Sequence, residues 1–146
     1  VHRPSLYARL DTSARIGLDV GFTYMREELP GGAVDQAGVA DTNIAVRFAE
    51  HEHAELHAGA GVRWWYDDQD LDAGFNFTYG ATVFPVWPLV LSLSCDLGNL
   101  GWAFTVHGRG HMGASFFGWE IYVGYDVLAI GGVPFHGPIA GLRRWF

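Results

Sequence analysis

From Leu6 to Tyr24 the chain alternates between two chemistries without interruption. Even positions carry Leu6, Ala8, Leu10, Thr12, Ala14, Ile16, Leu18, Val20, Phe22 and Tyr24. Odd positions carry Tyr7, Arg9, Asp11, Ser13, Arg15, Gly17, Asp19, Gly21 and Thr23. Side chains of a strand repeat every two residues, so this is a β pattern and not a helical one. It predicts a first strand over about residues 5–26, followed by a Gly-containing polar loop over 27–41. Seven more alternating segments follow, over about 42–50, 54–66, 71–83, 89–97, 101–110, 116–129 and 135–146. Between them lie turn signals: His51-Glu52-His53, Asp67–Asp70, the Pro85/Pro88 pair, Gly98-Asn99, a Gly-rich stretch near 110–115, and Gly131–Pro134.

Eight strands with short connections in a single domain over residues 1–146 predict an all-β, antiparallel up-and-down barrel. The first strand is too long for this scheme. Its length is about twice what a tilted membrane strand needs. Either it runs beyond a bilayer or residues 5–11 form a separate short strand.

Which face of each strand points inward depends on the chemistry. The polar face is built from Gly, Ser, Thr, Asn and Asp, with isolated Arg, Glu and His. Small residues and ion pairs suit the narrow interior of a small barrel. This face offers a lumen network of Arg9, Arg15, Asp19, Arg47, Glu55, Arg63, Asp96, Arg109, Glu120, Asp126 and Arg143, six Arg against five carboxylates. The apolar face carries Phe22, Tyr24, Phe48, Trp64, Tyr66, Phe75, Phe77, Tyr79, Trp102, Phe104, Trp119 and Tyr125. Twelve large aromatics overfill a narrow barrel but suit a lipid-facing belt with interfacial girdles. The expectation is a transmembrane barrel with a polar, ion-paired lumen.

Composition adjusts this picture. Hydrophobic residues make up 49% and mean hydropathy is +0.10, high for a chain with a net charge of −7. No apolar run is long enough for a membrane helix. All nine basic residues are Arg and none is Lys. Arg is the better residue for buried, multiply bonded ion pairs, whereas Lys usually guards exposed strands. The acidic balance argues against a nucleic-acid partner. Cys95 stands alone, so no internal disulfide forms. A start at Val1 is what a cleaved export signal leaves.

The last residues, Gly141-Leu142-Arg143-Arg144-Trp145-Phe146, end in an aromatic pair. They resemble the C-terminal strand of bacterial outer-membrane barrels, and the whole chain is similar in architecture to small eight-stranded proteins of the OmpA transmembrane-domain or OmpX type. In that family an apolar or aromatic residue usually occupies the position of Arg144. The resemblance implies residence in a Gram-negative outer membrane. It also implies that Trp145 and Phe146 form a signal for the barrel assembly machinery, and that both termini lie in the periplasm. Residues 27–41, 67–70, 97–101 and 130–134 would then face outward, and 50–53, 84–88 and 110–115 would be periplasmic turns.

Candidate chemistry is sparse. His51, His53 and His57, near Glu50, Glu52 and Glu55, suggest a Zn²⁺ or Cu²⁺ site; the plainer reading is a polar turn plus one lumen histidine. Asp67, Asp68, Asp70 and Asp72 suggest Ca²⁺ or simply a solvated turn. Ser115 with His111, or Ser94 with His107, could serve a lipid A-modifying enzyme, but no nucleophile elbow or phosphate loop accompanies them. The reading with most support is a structural or interaction barrel, without catalysis, metal or cofactor. Its expected partners are outer-membrane lipid, the assembly machinery and other membrane proteins. The alternatives are a lipid A-modifying enzyme, a narrow pore and a soluble lipocalin-like barrel for a small ligand.

Overall fold

The break that the alternation hides lies at Thr12–Arg15. A computed structural model describes residues 5–28, 34–67 and 71–145. Its strands are β1 (Ser5–Asp11), β2 (Ile16–Glu28), β3 (Val34–His51), β4 (Ala54–Asp67), β5 (Leu71–Val83), β6 (Leu89–Leu100), β7 (Ala103–Phe116), β8 (Trp119–Ile130) and β9 (Val133–Trp145). They form one closed barrel in sequence order. Neighbouring strands are antiparallel, except at the closing seam, where β1 runs parallel to β9 from Ser5↔Ile139 to Asp11↔Trp145.

The expected eight-stranded antiparallel barrel is therefore corrected to nine strands with one parallel pair. Residues 5–11 are the separate short strand. At the turn, Thr12 N–H bonds to the Ile16 carbonyl at 2.9 Å, and Arg15 takes a positive φ of 64°. The hairpin pairs Asp11 with Gly17, both odd and both inward. Alternation thus passes through the turn with its parity intact, which is why it reads as one strand.

Three other expected connections move. The predicted loop over 27–41 shrinks, because β2 runs to Glu28 and β3 starts at Val34; residues 29–33 lie outside the described residues. Val39 and Met25 turn inward and pack on Leu128, which rewards extending the hairpin. Gly98-Asn99 is strand, and the turn falls at Gly101-Trp102, where Gly101 has a φ of 52°. A side chain at Gly98 would strike the Phe75 carbonyl, so that glycine permits close strand approach. The Gly-rich stretch near 110–115 is also strand; the chain turns at Phe117-Gly118, both at positive φ. The predicted sixth and seventh strands accordingly become β7 and β8, each with shifted bounds.

Trp145 lies at the end of the barrel that carries Thr12–Arg15, Glu52-His53, Phe84–Pro88 and Phe117-Gly118, here called the C-terminal end. β1 begins at Ser5, beside Ile139 in the middle of β9, and runs toward the C-terminal end; residues 1–4 lie outside the described residues. Phe146 and residues 68–70 lie outside the described residues.

Side chains sort by parity. Inside, almost wholly shielded, are Arg9, Asp11, Asp19, Asp41, Asn43, Arg63, Asn76, Thr78, Asp96, Arg109, Glu120, Asp126 and Arg143. Outside, exposed, are Leu6, Leu18, Phe22, Ile44, Phe48, Phe75, Phe77, Leu93, Ile121 and Val123. The ordinary inside-apolar arrangement of a soluble domain is inverted.

The parallel seam makes a direct prediction. Leu6 and Ala140 are register partners on the outer face. In a Cys95→Ser background, Leu6→Cys with Ala140→Cys should form a disulfide under mild oxidation, since paired strands bring Cα atoms within the bridging range of about 4.4–6.8 Å. A folded barrel with no cross-link at this pair would contradict the β1–β9 closure.

Candidate functional site

The closed wall gathers one side chain in two from every strand into a lumen of two linked ion-pair groups. Toward the C-terminal end, Arg143 of β9 is the hub. Its Nε donates to Asp11 at 2.7 Å, one Nη donates to Glu55 at 2.9 Å, and the other donates to Thr82 at 3.2 Å and lies 3.9 Å from Glu120. Arg9 reaches Asp11 at 2.9 Å and Asp19 at 3.3 Å, joining β1 to β2. Arg47 lies 3.5 Å from Glu55 and also donates to the Thr12 carbonyl, which ties the β1–β2 turn to β3.

The second group lies toward the opposite end and centres on Asp96. One of its oxygens accepts from Arg109 at 2.6 Å and Arg63 at 3.2 Å. Arg63 also lies 3.8 Å from Asp41. His107 pairs through Nε2 with Asp126 at 2.7 Å, while its Nδ1 lies 3.3 Å from Arg63. Tyr7 bridges the two groups: the Arg109 guanidinium stacks 4.4 Å from its ring, and Tyr122 donates to its carbonyl at 2.8 Å.

Glycine makes room for this crowd at two kinds of place. The His57 imidazole occupies the space a side chain at Gly80 would need, and the Asp41 carboxylate does the same over Gly21. Both lie on strands adjacent to the bulky residue, so large and absent side chains alternate around the ring.

Apolar groups gather at each end of the lumen. At the C-terminal end the Phe84 and Trp145 rings meet edge to face, 5.5 Å apart. The other face of this pair is charged: Arg143 lies 3.6 Å from the Trp145 ring centre, and the indole N–H donates to Glu120 at 3.2 Å. At the opposite end Met25, Val39 and Leu128 are buried beneath Trp65, Ile130 and Phe135.

Of the residues proposed for the network, Asp19, Arg47, Glu55, Arg63, Asp96, Arg109, Glu120, Asp126 and Arg143 all lie in the lumen. Arg15 does not. It sits in the β1–β2 turn with its side chain 62% exposed, 3.7 Å from the half-exposed Glu50. Asp11 and Asp41 join instead. Asp11 stands on the polar face of the first alternation, and Asp41 falls in the expected loop over 27–41, which is strand at that position. The buried set is thus five Arg and seven carboxylates, with His57 and His107 among them. The balance of six to five expected from the sequence is replaced by an acidic excess.

The proposed chemistry is dispersed. His51 and His53 rings stand 6.3 Å apart at the C-terminal end, while His57 faces inward and accepts from Arg9. Among the described residues no group of three or more His, Cys, Asp or Glu is placed to hold a metal ion. Asp68 and Asp70 of the acidic turn lie outside the described residues. Ser94 stands opposite Arg109 in register, and His107 is engaged with Asp126 and Arg63. Ser115 stands opposite Glu120, the carboxylate nearest His111. Cys95 is on the outer face. Arg144 donates to the Phe117 carbonyl at 2.9 Å and lies over the outward Trp119 ring.

No family model matches the chain, and neither a curated protein nor a solved structure matches it.

Removing one member of a buried ion group leaves the others uncompensated, a loss of about 3–5 kcal/mol. Arg143→Met should show it in the denaturant midpoint, because three carboxylates lose their shared cation. Arg15→Met, at an exposed pair, should stay within about 1 kcal/mol of the parent. Equal effects at the two sites would contradict the assignment of Arg143 as hub.

Proposed function

We propose that this chain is an integral barrel of a bacterial outer membrane, serving a structural or interaction role with its lumen closed. The observation that carries this reading is the inverted burial: charged side chains such as Arg63 and Glu120 are fully buried, while Phe77, Leu93 and Ile121 are exposed. A wall of that chemistry is stable against hydrocarbon and unstable against water. Closure supports the same reading, since lipid tolerates no open sheet edge.

The aromatics are arranged to match. Trp87, Phe116, Phe117 and Trp119 gather at the C-terminal end, and Trp64, Tyr66, Trp102 and Phe104 toward the opposite one. Two belts of Trp, Tyr and Phe are what interfaces on either side of a bilayer select. The resemblance of the final strand to outer-membrane barrels favours that membrane and recognition by its assembly machinery, with Trp145 taking part.

The apolar groups at the two ends and the ion pairs between them disfavour a pore. The two-residue connections at Gly101-Trp102 and Gly131-Gly132 leave little loop surface for adhesion. The wall itself is then the main surface offered to another membrane protein.

Phe77, on the outer face of β5, is the test position. In lipid vesicles Phe77→Arg should lower stability by about 2–4 kcal/mol, the cost of placing Arg near the midplane. The same vesicles should show no single-channel conductance. A parent protein that stays monodisperse in detergent-free buffer and ignores vesicles would overturn the proposal.

A further inference from the structure

Between the two ion-pair groups lies a small internal cavity. Its volume is about 10 Å³, on the scale of a single water or small ion. Its lining includes Arg9, Arg109, Arg143, His57, Ser92 and Ser94. No carboxylate lines it, although the lumen as a whole holds more carboxylates than guanidiniums. The carboxylates that pair with these arginines, among them Asp11, Glu55 and Asp96, stand outside the lining.

Four buried nitrogens of the lining residues make no hydrogen bond among the described residues: Arg9 Nη2, His57 Nδ1, Arg109 Nε and His111 Nε2. Arg9 Nη2 still lies 2.9 Å from Asp11, and His111 Nε2 lies 3.8 Å from Glu120. Arg9 Nη1 and His57 Nε2 are 2.9 Å apart. A guanidinium only donates, so Nε2 is the acceptor and the proton of the neutral ring sits on Nδ1. His57 Nδ1 is buried and has no hydrogen-bond partner among the described residues. The same holds for Arg109 Nε, whose guanidinium spends one Nη on Asp96. A buried N–H without an acceptor is costly. His57 and Arg109, which carry two of them, line the cavity together with Arg9, Arg143, Ser92 and Ser94.

We propose that this cavity is a binding site for a single monatomic anion of the halide class, chloride being the abundant one. The donors ask for an acceptor, and the cationic lining favours a charged acceptor over a neutral one. The site depends on the closed lumen and not on what surrounds the barrel, so it stands apart from the membrane assignment.

The test is to fold the full chain in sodium bromide or in sodium gluconate at equal ionic strength. Both samples are then exchanged exhaustively into gluconate, and the bromide released on denaturation is measured by ion chromatography. The barrel folded in bromide should retain about one ion per chain, the scale of the cavity. It should also unfold more slowly than the gluconate sample. Ser94→Asp, which adds a carboxylate to the lining, should retain no bromide and should unfold in gluconate as slowly as the parent does in bromide. If that variant does not fold, the parent's bromide count decides. A parent that retains no bromide and unfolds identically in both salts overturns the proposal, with water as the acceptor. Equal retention by Ser94→Asp overturns it as well, because the ion then sits elsewhere.

Discussion

Among the described residues, five guanidiniums lie inside this barrel with almost no contact with solvent. A guanidinium stripped of water is tolerable only against carboxylates, and only with geometry that satisfies several of its donors. That requirement organises the rest. Arg143 reaches carboxylates on β1, β4 and β8 from its place on β9, so four strands must keep their register for one side chain to be satisfied. Arg9 sets the β1–β2 hairpin in the same way, and Asp96 holds β4 and β7 to β6. Each of these pairs is made only in the register that the strands hold. Apolar residues of equal volume would pack as well but would not specify which strand sits beside which.

The outer wall follows from the inner one. A period of two leaves each strand only one other face, and with the charges inside that face is apolar. Phe75 and Phe77, edge to face at 4.5 Å, stand out from β5 while Asn76 between them points in and bonds to Asn43. No second layer covers these aromatics. An extensive exposed apolar surface on a water-soluble monomer would drive aggregation. The inverted barrel is consistent with a bilayer as its solvent, and the two aromatic belts mark where headgroups would meet it. The apolar groups at Phe84–Trp145 and Met25–Leu128 flank the polar lumen at its two ends.

Much of this was legible in the chain because alternation reports faces directly. The odd-numbered Arg9 and Asp19 and the even-numbered Asp96 and Asp126 could be sent inside by parity alone. Strand ends were harder. The Thr12–Arg15 turn preserves parity, so no hydrophobic signal marks it, and Arg15 was carried into the lumen by a pattern that continues through the turn. Asp41 was missed for the opposite reason: the Gly-rich stretch before it reads as a loop, and only packing of Val39 on Leu128 extends the strand over it. Glycine misled at Gly98 and near 110–115. There it relieves crowding between neighbouring strands or opens the outer surface, and bends nothing. Parallel closure of β1 on β9 is a consequence of strand number, which one concealed turn changes.

Accessibility of the outer wall is the most direct measurement. Nitroxide labels placed singly at Phe75, Phe77 and Tyr79, in a Cys95→Ser background and reconstituted into lipid vesicles, can be relaxed by oxygen dissolved in hydrocarbon or by a water-soluble nickel chelate. All three labels should respond to oxygen and be shielded from the chelate, because all three side chains stand on the exposed face of β5. Labels that meet the chelate as freely as they would in water would contradict the inverted barrel as a membrane structure.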